Sequence, residues 1–301
     1  MMRKTPMPRP FSGWFARVRS PRRLPARLSA VAAAWLAGLC VAQAAPERVV
    51  TLGGSVTEIV YGLGQGERLV GDDQSSLYPP EARRLPSVGY YRAVPVEGVL
   101  SLKPDLVLAS EQAGPPDALK RLGEVGVRVV TVPDQPSVDS LKARIRAVAE
   151  ALDARPAGER MIEDLGRELA RAEALPGRPA RAMLLINRGG APQAAGRDTA
   201  ASQLMALAGL VNVMQGQQGY KPLSAEAVGA LAPDVLIVTS MSVEASGGLD
   251  ALLGLPGLAS TEAAAKRRVV VMDDLLLLGL GPRLPQALTQ LKQEVANVMA
   301  R

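Results

Sequence analysis

The chain has 301 residues and a formal net charge of +6, but residues 1–44 hold eight Lys and Arg and no acid, so the remainder is slightly acidic at −2. A weakly acidic body with scattered charge lacks the electrostatic footprint that phosphates require, which excludes a nucleic-acid binder. The only Cys (Cys40), both Trp and both Phe lie in residues 1–44, and the chain has no His; the remainder is therefore excluded from His- or Cys-based catalysis, thiolate zinc sites and disulfides.

Residues 1–44 read as a signal peptide. Arg3, Lys4, Arg9, Arg17, Arg19, Arg22, Arg23 and Arg27 form a basic n-region, residues 28–41 an apolar h-region, and Ala42-Gln43-Ala44 a small-residue cleavage site. Cleavage would leave an exported mature protein from Ala45. A membrane anchor competes, but the apolar run of about 14 residues falls short of the roughly 20 that span a bilayer. No membrane insertion of the mature chain is expected. Cys40 raises a lipoprotein reading, against which Leu39 is too large for that cleavage pocket; Arg22-Arg23 is a weak twin-arginine signal.

The rest predicts an α/β fold with parallel sheets. A strand over 48–52 leads through Gly53-Gly54-Ser55 into a helix over 56–63. A short strand at 68–71 precedes an irregular, Pro-rich stretch at 72–95. Further strands are expected at 106–109 and 128–132, with a helix over 116–125 between them. Residues 137–174 have a helical pattern interrupted by Pro156, so one helix ends near Leu152 and another begins near Arg155. The second is about 20 residues, or ~30 Å, long enough to link two lobes rigidly. A second set follows: a strand at 182–186, a helix at 200–208, a strand at 268–272 and a last helix at 285–299.

A repeat supports two lobes. Residues 96–108 return as 225–237: a Glu (Glu97, Glu226) opens a short helix, Pro-Asp (Pro104-Asp105, Pro233-Asp234) ends it, and branched apolar residues continue as a buried strand. The expected organisation is a first α/β lobe over 45–153, a linker helix over 154–176 and a second lobe over 177–301, with a ligand cleft between the lobes. Gly53-Gly54-Ser55 follows a strand as a phosphate-binding turn would, but neither a full Gly-x-Gly-x-x-Gly nor a Gly-Lys-Ser/Thr accompanies it, which favours tight strand-to-helix turning.

In Val88-Gly89-Tyr90-Tyr91-Arg92-Ala93-Val94, an extended backbone would put Tyr90 and Arg92 on one face and Tyr91 on the other. A guanidinium beside a phenol favours the phenolate, a good oxygen ligand for ferric iron. On these residues alone, two partly exposed loop tyrosines and a solvated Arg are the preferred reading. The residues 52–61, Gly89-Tyr90-Tyr91-Arg92 with 97–102, Ala195-Gly196-Arg197-Asp198-Thr199-Ala200, Gly219-Tyr220-Lys221-Pro222-Leu223-Ser224-Ala225-Glu226 and Gly281-Pro282-Arg283 together resemble the periplasmic haem-binding proteins of bacterial haem ABC importers.

That resemblance covers the whole chain after residue 44 and implies two α/β lobes joined by a long rigid helix, with haem b held between them as transported ligand. It implies a carrier rather than an enzyme, expected as a monomer, that delivers haem to a dimeric inner-membrane ABC permease. By position it matches Tyr90 to the axial ligand, Arg92 to the arginine supporting it, and Glu97 and Glu226 to acids that dock on permease arginines. Without the resemblance, the two Glu are equally helix N-terminal acids favoured by the macrodipole. Relatives that stack two haems carry a histidine where this chain has Asn187-Arg188, so a second haem ligated that way has no counterpart here. Arg188 and Arg283 suit haem propionates bidentately, or are solvated loop residues. Met241 and Met272 are candidates for a haem face or for gap filling, and the run 275–278 for cleft wall or core. A ferric siderophore or cobalamin on the same fold is the alternative ligand.

Overall fold

A computed structural model describes residues 47–189 and 191–300; the expected signal peptide lies outside them. In the first lobe, β1 (Val49–Leu52), β2 (Leu69–Gly71), β3 (Leu106–Ser110) and β4 (Arg128–Val132) form a parallel sheet in the order β2-β1-β3-β4. β1 and β3 are buried along their whole length, which is why they read as unbroken apolar runs rather than as alternation. In the second lobe, β5 (Arg181–Ile186), β9 (Val235–Thr239) and β10 (Val269–Met272) are parallel, and β7 (Val211–Asn212) pairs parallel with the start of β5. Thus β7-β5-β9-β10 repeats the order of the first sheet. The second sheet adds two antiparallel strands, β6 (Gln193–Ala195) and β8 (Tyr220–Pro222), on the far end of β5.

The internal repeat has a physical basis in both lobes. The helices α1 (Gly54–Gly62) and α2 (Val96–Ser101) belong to the first lobe, and the counterpart of α2 in the second is Ala225–Leu231. Each Glu-helix stops at a left-handed residue, Lys103 (φ 49°) or Ala232 (φ 38°), directly before the proline. The following Asp then ties down the head of the neighbouring strand: Asp105 accepts the Arg48 N–H at 3.2 Å, and Asp234 accepts the Arg181 N–H at 2.9 Å. The arginine at the head of that strand donates back to the carbonyls at the helix end. Arg48 reaches Lys103 O (3.0 Å) and Leu102 O (2.6 Å); Arg181 reaches Ala232 O (3.4 Å) and Leu231 O (2.8 Å). Carbonyls without an intrahelical partner are satisfied by a cation placed where the helix dipole favours it.

The helix α3 (Pro116–Glu124) packs with α2 on one face of the first sheet; between the sheets run α4 (Val138–Ala151) and the 20-residue α5 (Arg155–Ala174), with Pro156 in its first turn. α5 buries Ile162, Leu165, Leu169 and Ala172 and packs on α4 and on the C-terminal helix Leu284–Met299. Lys292 of that last helix is buried and donates to Ala172 O (3.0 Å), Glu173 O (2.8 Å) and Leu175 O (2.9 Å), closing the carbonyl end of α5. One hydrophobic cluster runs from Val49 and Ile59 through Leu165 and Leu169 to Ile237 and Leu288. The linker is therefore part of a shared core, and the lobes have little freedom to hinge about it.

Two polar ties join the lobes as well. Glu58 of α1, 5% exposed, accepts from Arg283 Nε at 2.7 Å. Arg144 of α4, fully buried, donates to Pro133 O (2.6 Å), Ser55 Oγ (2.7 Å) and Leu280 O (3.4 Å), and it pairs with Asp134.

Candidate functional site

The two lobes enclose a cavity of about 860 Å³, within the range of pockets that bury a small molecule or cofactor. Each β-strand of a parallel sheet ends at the same edge, and the loops leaving those edges face one another across the gap. The first lobe contributes the β1–α1 turn (Gly53, Gly54, Ser55), Leu77, the segment Tyr90-Tyr91-Arg92, Gln112 and Asp134. The second contributes Arg188, Tyr220, Met241, Asp274, Leu275 and Leu278 among others. Gly54 admits no side chain: a Cβ there would lie 2.1 Å from Ser75 O and 2.8 Å from Leu275 Cδ1. That explains the glycine pair as tight turning and as close packing between loop and second lobe.

The tyrosine segment is not extended, as expected above, but forms a 3-10 turn over Tyr91–Ala93. The turn breaks the strand alternation, and Tyr90, Tyr91 and Arg92 all line the cavity. The two rings meet edge to face, with centroids 5.0 Å apart. Arg92 lies over the Tyr91 ring, donates from Nε to the Tyr91 hydroxyl at 3.1 Å and from Nη1 to Gln112 Oε1 at 3.0 Å. The two phenols consequently differ. Tyr91 is largely buried and engaged, and burial pushes its pKa up to about 12 against the pull of Arg92. Tyr90 is 44% exposed and lines the cavity. Burial works against the Arg92 charge, but the neighbouring Tyr91 and Tyr90 phenols outweigh it and hold the guanidinium more firmly protonated than usual. Tyr220, on β8 of the other wall, is also pushed up to about 12, by burial first and then by Tyr91.

On the second wall, α11 (Asp274–Leu278, the helices between α5 and it being α6, Ala200–Leu207; α7, Ala225–Leu231; α8, Ser240–Ala245; α9, Leu249–Leu253; and α10, Glu262–Ala265) presents Leu275 and Leu278 to the cavity. Its buried Asp274 accepts from Arg188 Nη2 at 2.5 Å, Ser240 Oγ at 3.2 Å and the Met241 N–H at 2.9 Å. Arg188 is held at the cavity while 45% of its side chain stays exposed. The site thus combines an apolar wall, an accessible phenol and guanidinium groups on both lobes. Such a constellation suits a flat apolar ligand that carries carboxylates and a hard Lewis-acid centre.

Of the residues predicted from sequence, the structure brings Tyr90, Tyr91, Arg92, Arg188 and Met241 to the cavity. Arg283 is not among the lining residues. Its guanidinium is clamped between Glu58 and the Tyr78 ring, 3.6 Å away, because burial of the Glu58 carboxylate demands a partner. Met272 is core, 2% exposed. Glu97 and Glu226 are exposed in the first turns of α2 and α7, equivalent positions of the two lobes. Sequence reasoning missed Asp73, Asp134, Arg144 and Asp274; only the adjacent acids Asp72-Asp73 in a Pro-rich stretch carried a signal.

Sequence comparison decides the family: the family model described as Periplasmic binding protein matches residues 49–276. The chain belongs to the periplasmic binding protein family. This periplasmic binding protein is similar to a solved structure titled "Periplasmic heme-binding protein RhuT from Roseiflexus sp. RS-1 in apo form". The two are 43% identical with a TM-score of 0.81, over 84% of this chain and 99% of that one. It is 30% identical to the "Uncharacterized ABC transporter substrate-binding lipoprotein YvrC" of Bacillus subtilis (strain 168), over 83% of this chain and 80% of that protein. A vitamin B12-binding protein of Pectobacterium carotovorum subsp. carotovorum (strain PC1) is 34% identical, over 46% of this chain and 50% of that protein. No helix among the described residues is long and apolar enough to cross a membrane.

One carboxyl beside the tyrosine loop makes the fold sensitive to pH. Asp72 is 3% exposed, and its Oδ2 has no hydrogen-bond partner. Burial, and then the Asp73 charge, push its pKa up to about 8; Tyr61 and Glu81 also face this region. The folded protein therefore retains a proton that the unfolded chain releases near pH 4. The stability tied to that proton is complete below about pH 4 and is lost as pH rises to about 8. Asp72→Asn is expected to match the parent near pH 4 and to exceed its stability by roughly 2–5 kcal/mol at pH 8. Urea denaturation across pH 4–9 measures this; a difference that does not grow over that window rejects the assignment.

Proposed function

We propose that this protein captures haem in the periplasm and delivers it to an ABC permease, with Tyr90 as the axial ligand of ferric iron. The observation that carries the proposal is the half-exposed Tyr90 phenol at a cavity between two lobes, beside a second tyrosine whose hydroxyl Arg92 already occupies. Phenolate oxygen ligates ferric haem, and the chain has no histidine to compete for the role. Arg92 stabilises negative charge at the phenol pair. Leu275, Leu278 and Met241 lie against the porphyrin face, and Arg188, steadied by Asp274, meets a propionate. Arg283 fastens the lobes together instead of contacting ligand. The heme-binding protein named above matches nearly its whole length to this chain, which supports haem over a corrinoid, whose binding protein matches half of its own.

The proposal includes export by a cleaved signal peptide over 1–44, lobes over 45–153 and 177–301 around a linker at 154–176, and a monomeric carrier with no catalytic step. Binding of hemin, cobalamin and a ferric siderophore to the mature protein tests the ligand. Saturable binding of hemin is expected, and saturable binding of another chelate with none of hemin sinks the proposal.

Glu97 and Glu226 dock the carrier on the permease. A two-fold partner offers the same basic pocket twice, and acids at equivalent positions of two similar lobes match that arrangement. Glu97→Lys together with Glu226→Lys should leave hemin affinity within about twofold and remove stimulation of the cognate transporter's ATPase, since opposed like charges oppose docking by several kcal/mol. Undiminished stimulation would rule the docking role out.

A further inference from the structure

We infer that Asp73 is the positioning residue of the tyrosine loop: its buried carboxylate fixes the backbone from which Tyr90 reaches the ligand. This rests on the haem reading above. Asp73 is 2% exposed and touches no ligand-facing space; it is absent from the cavity lining. Its Oδ1 accepts from the Gly53 N–H (2.9 Å), Ser75 Oγ (2.9 Å) and Ser76 Oγ (3.3 Å). Its Oδ2 accepts from the Ser75 N–H (3.1 Å) and the Tyr91 N–H (3.2 Å). A single side chain thus joins the end of β1 to the loop that carries the tyrosines.

The neighbouring backbone closes the clamp. The Gln74 N–H donates to Gly89 O at 2.8 Å, so the carbonyl before Tyr90 and the amide after it are both held by residues 73–74. The Gly114 N–H holds Tyr91 O at 3.0 Å, and the Ala93 N–H holds Tyr90 O at 2.8 Å. On the other side, Ser76 Oγ meets Thr57 Oγ1 and Thr57 Oγ1 meets Thr51 Oγ1, each at 2.7 Å, all buried. The chain of bonds ends in β1 and α1, among the most completely buried elements of the lobe. Tyr90 therefore has a rigid backbone and a half-exposed ring. That combination holds a metal-ligating side chain in place before the ligand arrives, and outer-shell partners of this kind typically govern 10–100-fold in affinity.

The test uses the mature protein without ligand and loaded with hemin. Asp73→Asn keeps size but cannot accept five donors. It is expected to raise amide hydrogen exchange over residues 89–93 in the ligand-free protein. In the hemin complex it should weaken the phenolate-to-iron charge-transfer band and speed haem release by about 10–100-fold. Lys292→Met, destabilised at the far end of the linker, should keep the parent's band and release rate. A second pair isolates one bond: Tyr91→Pro removes the N–H that Asp73 accepts, Tyr91→Ala keeps it, and both lose the same ring hydroxyl. Tyr90, with φ −96° and ψ 129°, is already compatible with a following proline. Haem release faster in Tyr91→Pro than in Tyr91→Ala is expected. Parent-like exchange, band and release in a folded Asp73→Asn would overturn the inference, as would equal release from the two Tyr91 variants. If Asp73→Asn fails to fold, the Tyr91 pair decides. If the parent binds no hemin, the haem reading fails on its own, and loop exchange still decides whether Asp73 positions the segment.

Discussion

Tyr90→Ala is expected to lower hemin affinity by at least ~100-fold, a loss of ~2.7 kcal/mol or more, without changing the fold. The ring is 44% exposed and packs mainly on Tyr91, so truncation opens no cavity in the core and stability should move by less than about 1 kcal/mol. What it removes is the iron–oxygen bond, which no neighbour can replace: Tyr91 is largely buried, its hydroxyl is held by Arg92, and its pKa stands at about 12. Tyr91→Phe separates the two phenols. It forfeits one hydrogen bond, about 1 kcal/mol, and should keep hemin binding within about tenfold. Hemin affinity that survives in Tyr90→Ala but collapses in Tyr91→Phe would exchange their roles.

Arg144→Met should destabilise the protein by about 3 kcal/mol, because it leaves the partly buried Asp134 carboxylate and three further acceptors without their cation. Arg144 has no exposed surface, and its guanidinium serves Asp134, Pro133 O, Ser55 Oγ and Leu280 O at once. Asp134 already has its pKa raised by burial, with Arg144 the main opposing influence. Removal of Arg144 drives that carboxyl further toward its neutral form, so the destabilisation should shrink as pH falls and Asp134 takes up a proton. Asp134→Asn in the same chain should recover part of the loss. Guanidinium denaturation at pH 5 and pH 8 measures both effects; a change under about 1 kcal/mol at pH 8 would mean the buried pair is not a structural tie.

The elements carried by long periodic patterns were legible in the sequence. The Pro-interrupted helices α4 and α5, the buried strands β1, β3 and β9, and the repeated Glu-helix with its Pro-Asp stop all declare themselves locally, through apolar periodicity and backbone-breaking residues. β6, β7 and β8 did not: at two or three residues they are too short for any period, and unlike the equally short β2, with its Leu69-Val70, they carry polar residues, proline or small alanines in place of a branched apolar pair. Nor did the arginines that close the repeat: Arg48 and Arg181 lie 50 or more residues from the carbonyls they cap. At the site, the tyrosines stood out by composition, whereas the 3-10 turn that sets their direction depends on hydrogen bonds to Asp73 and Gly114 from elsewhere in the chain. Arg283 illustrates the converse. Its sequence context suggested a ligand contact, but the buried carboxylate of Glu58, 225 positions earlier, claims it.

The central claim is that ferric haem is held between the lobes through a phenolate oxygen. Its most direct test is a hemin titration of the mature protein followed by absorption spectroscopy. Saturation, a high-spin ferric spectrum and a phenolate-to-iron charge-transfer band are expected. A hemin spectrum that never saturates, or a saturated complex without that band, would contradict it.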